Sequence, residues 1–340
     1  MKYQNDIDKM NTNRNLFLMS LPIFVELLLQ LLVGNVDQMM VSRVSQPSVA
    51  AIVNANQIMN LVIIVLSMAS TAVTVILSQY LGAQDEKNAS RTCMVSIVLI
   101  SGVSLAATIL VFAGHTPLYR AIHVPEEVFD EASLYLLIVG AFILVQGLYL
   151  TFSAMIRAFA MVKEVMIISV IMNAMNIVGN AILINGWFGM PQLGAVGAAI
   201  STDISKLVGL ALMIGMFFKS RRVKMGMSYL RPFPVQILKN LCLLAIPTGV
   251  ESFSYNLSQM IILGIVNSFG TLVTVTKGYC TIFANIDYVY AMAIATATQI
   301  VLGYLIGARR LNDIQKRVNA TLKVAIAACV GMAVLMCLGG

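Results

Sequence analysis

The sequence predicts an all-α polytopic membrane protein: a two-lobe parallel repeat of six helices each, with the second lobe incomplete in this chain. Three observations lead there. The chain is 59% hydrophobic and 11% charged, against roughly one quarter charged in soluble domains, and its mean hydropathy is +0.87. Its apolar residues fall in blocks of about 20 or more, long enough as helices to cross a ~30 Å hydrocarbon core. Finally, the chain matches itself at an offset of 225 residues.

Nine segments are expected, over residues 16–42, 50–80, 92–113, 133–156, 164–185, 195–218, 238–266, 272–305 and 318–338. Their runs are continuous rather than alternating, which excludes a strand barrel. Several exceed the minimum length, so tilt or projection beyond the bilayer is expected. The amino-terminal MKYQNDIDKMNTNRN is polar and lacks a small-residue cleavage site, so no cleavable leader is expected.

The first segment contains LPIFVELLLQLLVGNVDQMM, in which Glu26, Gln30 and Asp37 share one helix face. At ~1.5 Å per residue from Leu16, Glu26 falls near mid-membrane and Asp37 in the outer half. An ionised group there costs at least about 3 kcal/mol, so the stripe must face protein or water. Two roles stay open for Glu26, a structural hydrogen-bond network with a protonated carboxyl or a transport role. Asp37 follows Gly34 and Asn35, which loosen the helix.

Segments two to four supply apolar spans. The connection GHTPLYRAIHVPEEVFDEAS keeps His115 and His123 outside the bilayer. The fifth segment sets Asn173, Asn176 and Asn180 on one face, and the sixth carries Thr202, Asp203 and Lys206, the last two spaced for a local ion pair. Glu251, Tyr255, Ser258 and Gln259 stripe the seventh; Thr281, Asn285, Tyr288, Thr296 and Gln299 stripe the eighth, with Asp287 off that face. Lys277 can snorkel.

Charge sets orientation. With the N-terminus cytoplasmic, the inner segments collect Lys2, Lys9, Arg14, Lys87, Arg91, Arg157, Lys163, the 219–239 cluster and Arg309 to Arg317, leaving Arg43 and Arg120 outside. The net charge of +7 therefore reflects topology and gives no reason to expect nucleic-acid binding. The five cysteines lie in apolar segments without C-x-x-C, so neither redox nor metal chemistry is indicated. H-E-x-x-H, G-x-S-x-G and a phosphate-binding loop are all missing, so no enzyme activity and no cofactor are expected.

The internal match pairs LPIFVE (21–26) with IPTGVE (246–251), and Gly82-Ala83 with Gly307-Ala308. Each copy runs Pro, Glu, two apolar segments, Gly-Ala and a charged loop, as in transporters built from parallel halves. The expected division is residues 1–222 as an N-terminal lobe of about six helices and 223–340 as a partial C-terminal lobe of about three. The basic, Pro-containing KSRRVKMGMSYLRPFPVQILKN (219–240) joins them. The chain reads as a fragment of a roughly twelve-helix protein; a natural nine-helix protein is the alternative.

Pro22, Asp37, Ala50-Ala51 and SQYLGA (78–83), with NIVGNAILI (176–184), GAVGAAIST (194–202) and ATQIVLGYLIGA (297–308), resemble the multidrug and toxic compound extrusion (MATE) family, closest to its DinF-like branch. The resemblance implies two lobes that rock between inward- and outward-open states and export organic cations against proton or sodium entry. It places the helix-one Asp of that branch on Asp37 and the helix-five Asn on Asn176. Asn180 stands where the branch has an Asp, so Asp37 is left as the main titratable group of that network. Thr202 corresponds to a polar helix-six residue, and Glu251 loosely to a helix-seven carboxylate of sodium-coupled relatives.

The expected cavity residues are thus Asp37, Gln30, Glu26, Asn176, Asn180, Thr202, Glu251 and Asn285. The expected function is secondary active efflux of small cationic amphipathic compounds, coupled to H+ rather than Na+, by a monomer in the bacterial inner membrane. The alternative is a flippase for lipid-linked oligosaccharides or peptidoglycan precursors. Acids outnumber bases within the segments: Glu26, Asp37, Asp203, Glu251 and Asp287 against Lys206, Lys277 and Lys323. That excess points to cationic cargo.

Overall fold

A computed structural model describes residues 7–42, 45–121, 124–189, 191–267, 269 and 271–339. Some side chains within the helices, including Asn35, Asp37 and Gln38, lie outside that description. The described residues form ten long helices: α1 (Asn13–Ser42), α2 (Gln46–Gly82), α3 (Glu86–Ala121), α4 (Glu126–Ala141), α5 (Ile143–Ala158), α6 (Val162–Asn185), α7 (Gly194–Ser220), α8 (Val235–Asn267), α9 (Thr271–Gly307) and α10 (Leu311–Gly339). The protein is an all-helical polytopic membrane protein. Among the described residues six helices are long and apolar enough to cross a membrane, and α4 with α5, bent by 46° at their junction, are together long and apolar enough to make a seventh span. The two remaining segments, α8 and α10, are helices of 33 and 29 residues.

The bend corrects the single helix expected over 133–156. At the break Thr108 of α3 donates to the Gly140 carbonyl at 3.3 Å. Gly140 also sits so close to α3 that a Cβ there would meet Val111 at 3.0 Å. The third segment also runs further than expected: α3 continues through His115 to Ala121, with Pro117 inside it. His115 Nδ1 lies 3.0 Å from the Phe112 carbonyl; His123 lies outside the described residues.

Local chemistry sets several ends. Ser45 caps α2 by accepting from the Ser48 N–H at 3.2 Å, with a proline in the first turn, and Gly186, at φ 73°, closes α6 in a left-handed conformation suited to glycine. Pro22 and Pro247 lie inside α1 and α8. Each deprives the carbonyl four residues earlier of its helical donor.

The buried apolar residues gather in three clusters. One joins α2, α3, α5, α6, α7 and the start of α8 around Met155, Met213 and Phe217. A second draws on α1 through α7 around Leu66, Leu136 and Ile143. The third seats Ile7 and the first half of α1 on α9. Large apolar residues on the outer faces, such as Ile109 and Leu110, are exposed, as lipid-facing surfaces require.

Helices α2 and α9 cross at their glycine ends. A Cβ on Gly82 would stand 2.5 Å from the Tyr304 carbonyl oxygen, one on Gly307 would collide with Gln79, and one on Gly303 would stand 2.5 Å from Ser78 Cβ. Gly82 and Gly307 are 225 positions apart, as are Gln79 and Tyr304, and Ser78 and Gly303. The contact is therefore reciprocal between the two copies of the repeat, with Ser78 and Gly303 on its local two-fold axis. Beside it, the Tyr304 hydroxyl donates to the Ala158 carbonyl at 2.9 Å, tying α9 to the end of α5.

The amino-terminal segment is fastened to α10. Buried Arg317 donates to the Asn11 carbonyl at 2.9 Å and to the Asn13 side chain. Arg310 pairs with Asp8 and, at 2.6 Å, with Asp313. These pairs, Asp8 first, hold the Arg310 guanidinium above its usual range.

Candidate functional site: a polar cavity

A cavity of about 880 Å³ opens between α1, α2, α4, α5, α6, α7 and α9. Its polar lining comes from Gln30 on α1, Asn56, Asn60 and Ser67 on α2, Gln146 and Tyr149 on α5, Asn173 and Asn176 on α6, Thr202, Ser205 and Lys206 on α7, and Asn285 on α9. Leu31, Ile52, Ile63, Leu150 and Met172 supply apolar wall. Amides, hydroxyls and apolar patches of this kind suit a drug-sized guest, and the volume is of the order such pockets have.

The wall between α6 and α7 is stitched by one residue. Asn176 donates from Nδ2 to Thr202 Oγ1 at 3.1 Å and accepts Ser201 Oγ–H on its own carbonyl at 3.0 Å. Asn180 donates to Asn176 Oδ1 at 3.4 Å, so it braces the lining from behind. Gly179 permits this, because a Cβ there would collide with Ser201. The helix face seen in the sequence thus becomes a ladder whose cavity rungs are Asn173 and Asn176.

Of the expected residues, Gln30, Asn176, Thr202 and Asn285 line the cavity, and Asn180 supports it. The side chain of Asp37 lies outside the described residues. On α1 it stands seven positions past Gln30 and three past Gly34, both of which line the cavity.

Two expected residues are placed elsewhere. Glu26 is 1% exposed and pairs through Oε1 with Arg157 Nη2 at 2.6 Å. A depth counted along α1 alone cannot foresee this cation, which the end of α5 brings to the carboxylate. Glu251 is exposed on α8 and does not line the cavity. Helix α8 packs chiefly on α2, and to an equal and smaller extent on α3 and α9; its stripe meets α9 where the rings of Tyr255 and Tyr288 stack 6.1 Å apart.

The charge balance differs from that of the segments as a whole. Among the described lining residues the charged one is Lys206. Asp203, expected to pair with Lys206 on the helix surface, is instead 2% exposed, and both its carboxylate oxygens lack a hydrogen-bond partner among the described residues. Sequence reasoning also passed over α2. Asn56, Asn60, Ile63 and Ser67 repeat at i, i+4, i+7 and i+11, the same one-face spacing that singled out the asparagines of α6.

Comparison with known proteins places this architecture. The MatE family model matches residues 22–182 and 247–339. A Bacillus subtilis protein described as an uncharacterized transporter, YisQ, is 35% identical over 322 residues, spanning 95% of this chain and 71% of that protein. A probable multidrug resistance protein NorM from Thermotoga maritima is 26% identical over 250 residues, spanning 72% of this chain and 52% of that protein. A solved structure described as MATE in the bent conformation superposes with a TM-score of 0.88 at 20% identity, covering 98% of this chain and 74% of the other. An outward-facing multidrug resistance MATE transporter of the MOP superfamily superposes at 0.86, also at 20% identity, covering 97% of this chain and 73% of that one. The structural likeness establishes the fold; with the matched residues and the 35% identity, the chain belongs to the MatE family of membrane transporters.

Proposed function

We propose that this protein exports small amphipathic organic cations across a bacterial cell membrane, by proton antiport with the N-terminus on the cytoplasmic side. The observation that carries the proposal is the wide cavity lined by amides and hydroxyls from the surrounding helices. Such a lining holds differently shaped guests through adaptable hydrogen bonds and apolar contact rather than one fixed constellation. The names of the NorM relatives support multidrug cargo.

In this reading Asp37 takes up a proton from outside and, when ionised, supports the state that accepts cargo. Protonation shifts the two-state lobe equilibrium because it changes the relative stability of the two states. The crossing of α2 and α9 is where the lobes close on each other, and the repeat supports a rocking motion about it. We place the chain in the DinF-like branch on the residues around Asp37 and Asn176.

The test is transport by the gene product in liposomes loaded with a fluorescent organic cation, under an imposed pH or sodium gradient. Efflux driven by the pH gradient and abolished by Asp37→Asn is the expected result. Sodium-driven efflux that survives the substitution would overturn proton coupling at Asp37. No organic-cation efflux under either gradient, in folded protein, would overturn the cargo class.

A further inference from the structure

We propose that the segment joining α7 to α8 is a docking surface for anionic phospholipid. Arg221, Arg222, Lys224 and Arg231 meet the headgroups, and Met227 and Phe233 enter the interface beside them. Its placement at the cytoplasmic leaflet rests on the orientation proposed above; the lipid chemistry does not.

The segment is one-sided in charge. Lys219, Arg221, Arg222, Lys224, Arg231 and Lys239 lie between the last turn of α7 and the first turns of α8, and no acid occurs between Asp203 and Glu251. All six cations are exposed. Among the described residues the ion pairs belong to Arg157 and Arg310, so none of the six is paired with an acid there. The segment packs on α3, whose start brings two acids. Of these, Asp85 accepts from the backbone and side chain of Asn88, and Glu86 is exposed.

Packing decides which way the cations point. Val223, Met225 and Leu230 are half-buried on the apolar cluster around Met213 and Phe217. The Lys224 N–H donates to Ser90 Oγ on α3 at 3.2 Å, and the short 3-10 turn Met227–Leu230 packs on the same helix. With Val223 and Met225 turned inward, the intervening Arg222 and Lys224 are left outward. The segment is thus an ordered, two-faced surface rather than a loose tail.

Its outer face also carries apolar side chains. Met227 is 72% exposed, Val235 64% and Phe233 42%. The segment leaves the membrane span α7 at Ser220 and enters the apolar helix α8 at Val235, so its ends are fixed at the edge of the hydrocarbon. Cations interleaved with exposed apolar side chains at that depth make an interfacial element. A cluster of about four to eight Lys or Arg just outside a span is what anionic headgroups recruit. Arginine adds geometry, because its fork can take two phosphate oxygens at once. A nucleic-acid backbone offers the same phosphate but no place for Met227 and Phe233, which favours lipid.

The experiment puts the whole chain in nanodiscs of mixed phosphatidylglycerol and phosphatidylcholine, with bromine on the acyl chains of one lipid at a time. Trp187→Phe removes the single native tryptophan, and Met227→Trp reports from the surface. Brominated phosphatidylglycerol should quench that tryptophan several-fold more than brominated phosphatidylcholine at equal mole fraction. Replacing Arg221, Arg222, Lys224 and Arg231 together by Gln should equalise the two. Ile109→Trp, an exposed position on α3, is the reference that both lipids quench alike. Salt at 1 M, where screening shortens to about 3 Å, should also shrink the preference. Equal quenching by the two lipids at position 227 would overturn headgroup recognition. No quenching by either would overturn the docking surface and leave the face to a water-borne partner. Should the fourfold variant fail to fold, the salt series on the Met227→Trp protein decides. Both leaflets of a nanodisc hold the same lipids, so every outcome stands whatever the orientation and whether or not organic-cation efflux is seen.

Discussion

Glu26 on α1 and Arg157 at the end of α5 form a 2.6 Å ion pair in which the acid is 1% exposed and the base 21%. The pair ties the first helix of the chain to the wall of its own lobe, beside the carbonyl of Ala158 that Tyr304 reaches from α9.

Removing one partner of that pair leaves the other uncompensated. Glu26→Gln and Arg157→Met should each destabilise the protein by about 3 kcal/mol. The double substitution should cost clearly less than both singles together, because no charge is then stranded. Thermal unfolding of the four proteins in one detergent checks this; strict additivity would refute the coupling.

At the α2–α9 crossing, Gly82→Val and Gly307→Val should act alike. Each drives a side chain into the backbone of the facing helix, a strain of about 1–3 kcal/mol against the closed crossing. The readout is maleimide labelling of Ser78→Cys, a position fully buried here. Labelling should speed up in both variants by similar factors. A response in only one of them would contradict the reciprocal contact.

Thr202→Val takes away the oxygen that receives Asn176 Nδ2–H, at a cost of about 1 kcal/mol. Asn176 keeps its carbonyl bond from Ser201, so the helix pair holds while the amide swings. Binding of a fluorescent organic cation should weaken several-fold while the unfolding temperature falls by only a few degrees. Loss of stability without loss of binding would make Thr202 purely structural.

Arg317→Met should release the amino-terminal segment from α10. Two hydrogen bonds from a buried guanidinium are lost, worth roughly 2 kcal/mol at a charged donor. Hydrogen–deuterium exchange over residues 7–15 should rise while exchange in α5 stays constant. Unaltered exchange at the amino-terminal segment would show that Ile7 and Leu16, packed on α9, suffice to hold it.

Much of the architecture was legible because hydrocarbon imposes a coarse code. Helix length, continuous apolarity and basic loops located all nine segments, and every one is helical in the structure. Periodicity likewise placed Gln30, Asn176 and Asn285 on faces that line the cavity, and the family resemblance singled out Thr202, which lines it too. What escaped depends on partners distant in sequence. At the break near Phe142, Thr108 reaches a carbonyl thirty-two residues away. Glu26 needs Arg157, 131 residues away. Asp203 looked like a surface partner for Lys206 because spacing on one helix says nothing about what covers its face. The stripe on α2 was readable by the same rule as that on α6.

The crossing at Ser78 and Gly303 has a consequence for the history of the chain. Two identical halves meeting across a dyad would make this contact, so duplication could preserve it without inventing an interface. Selection then acts on Gly82 and Gly307 as one site written twice: either position can spoil the same helix approach, and neither can compensate for the other.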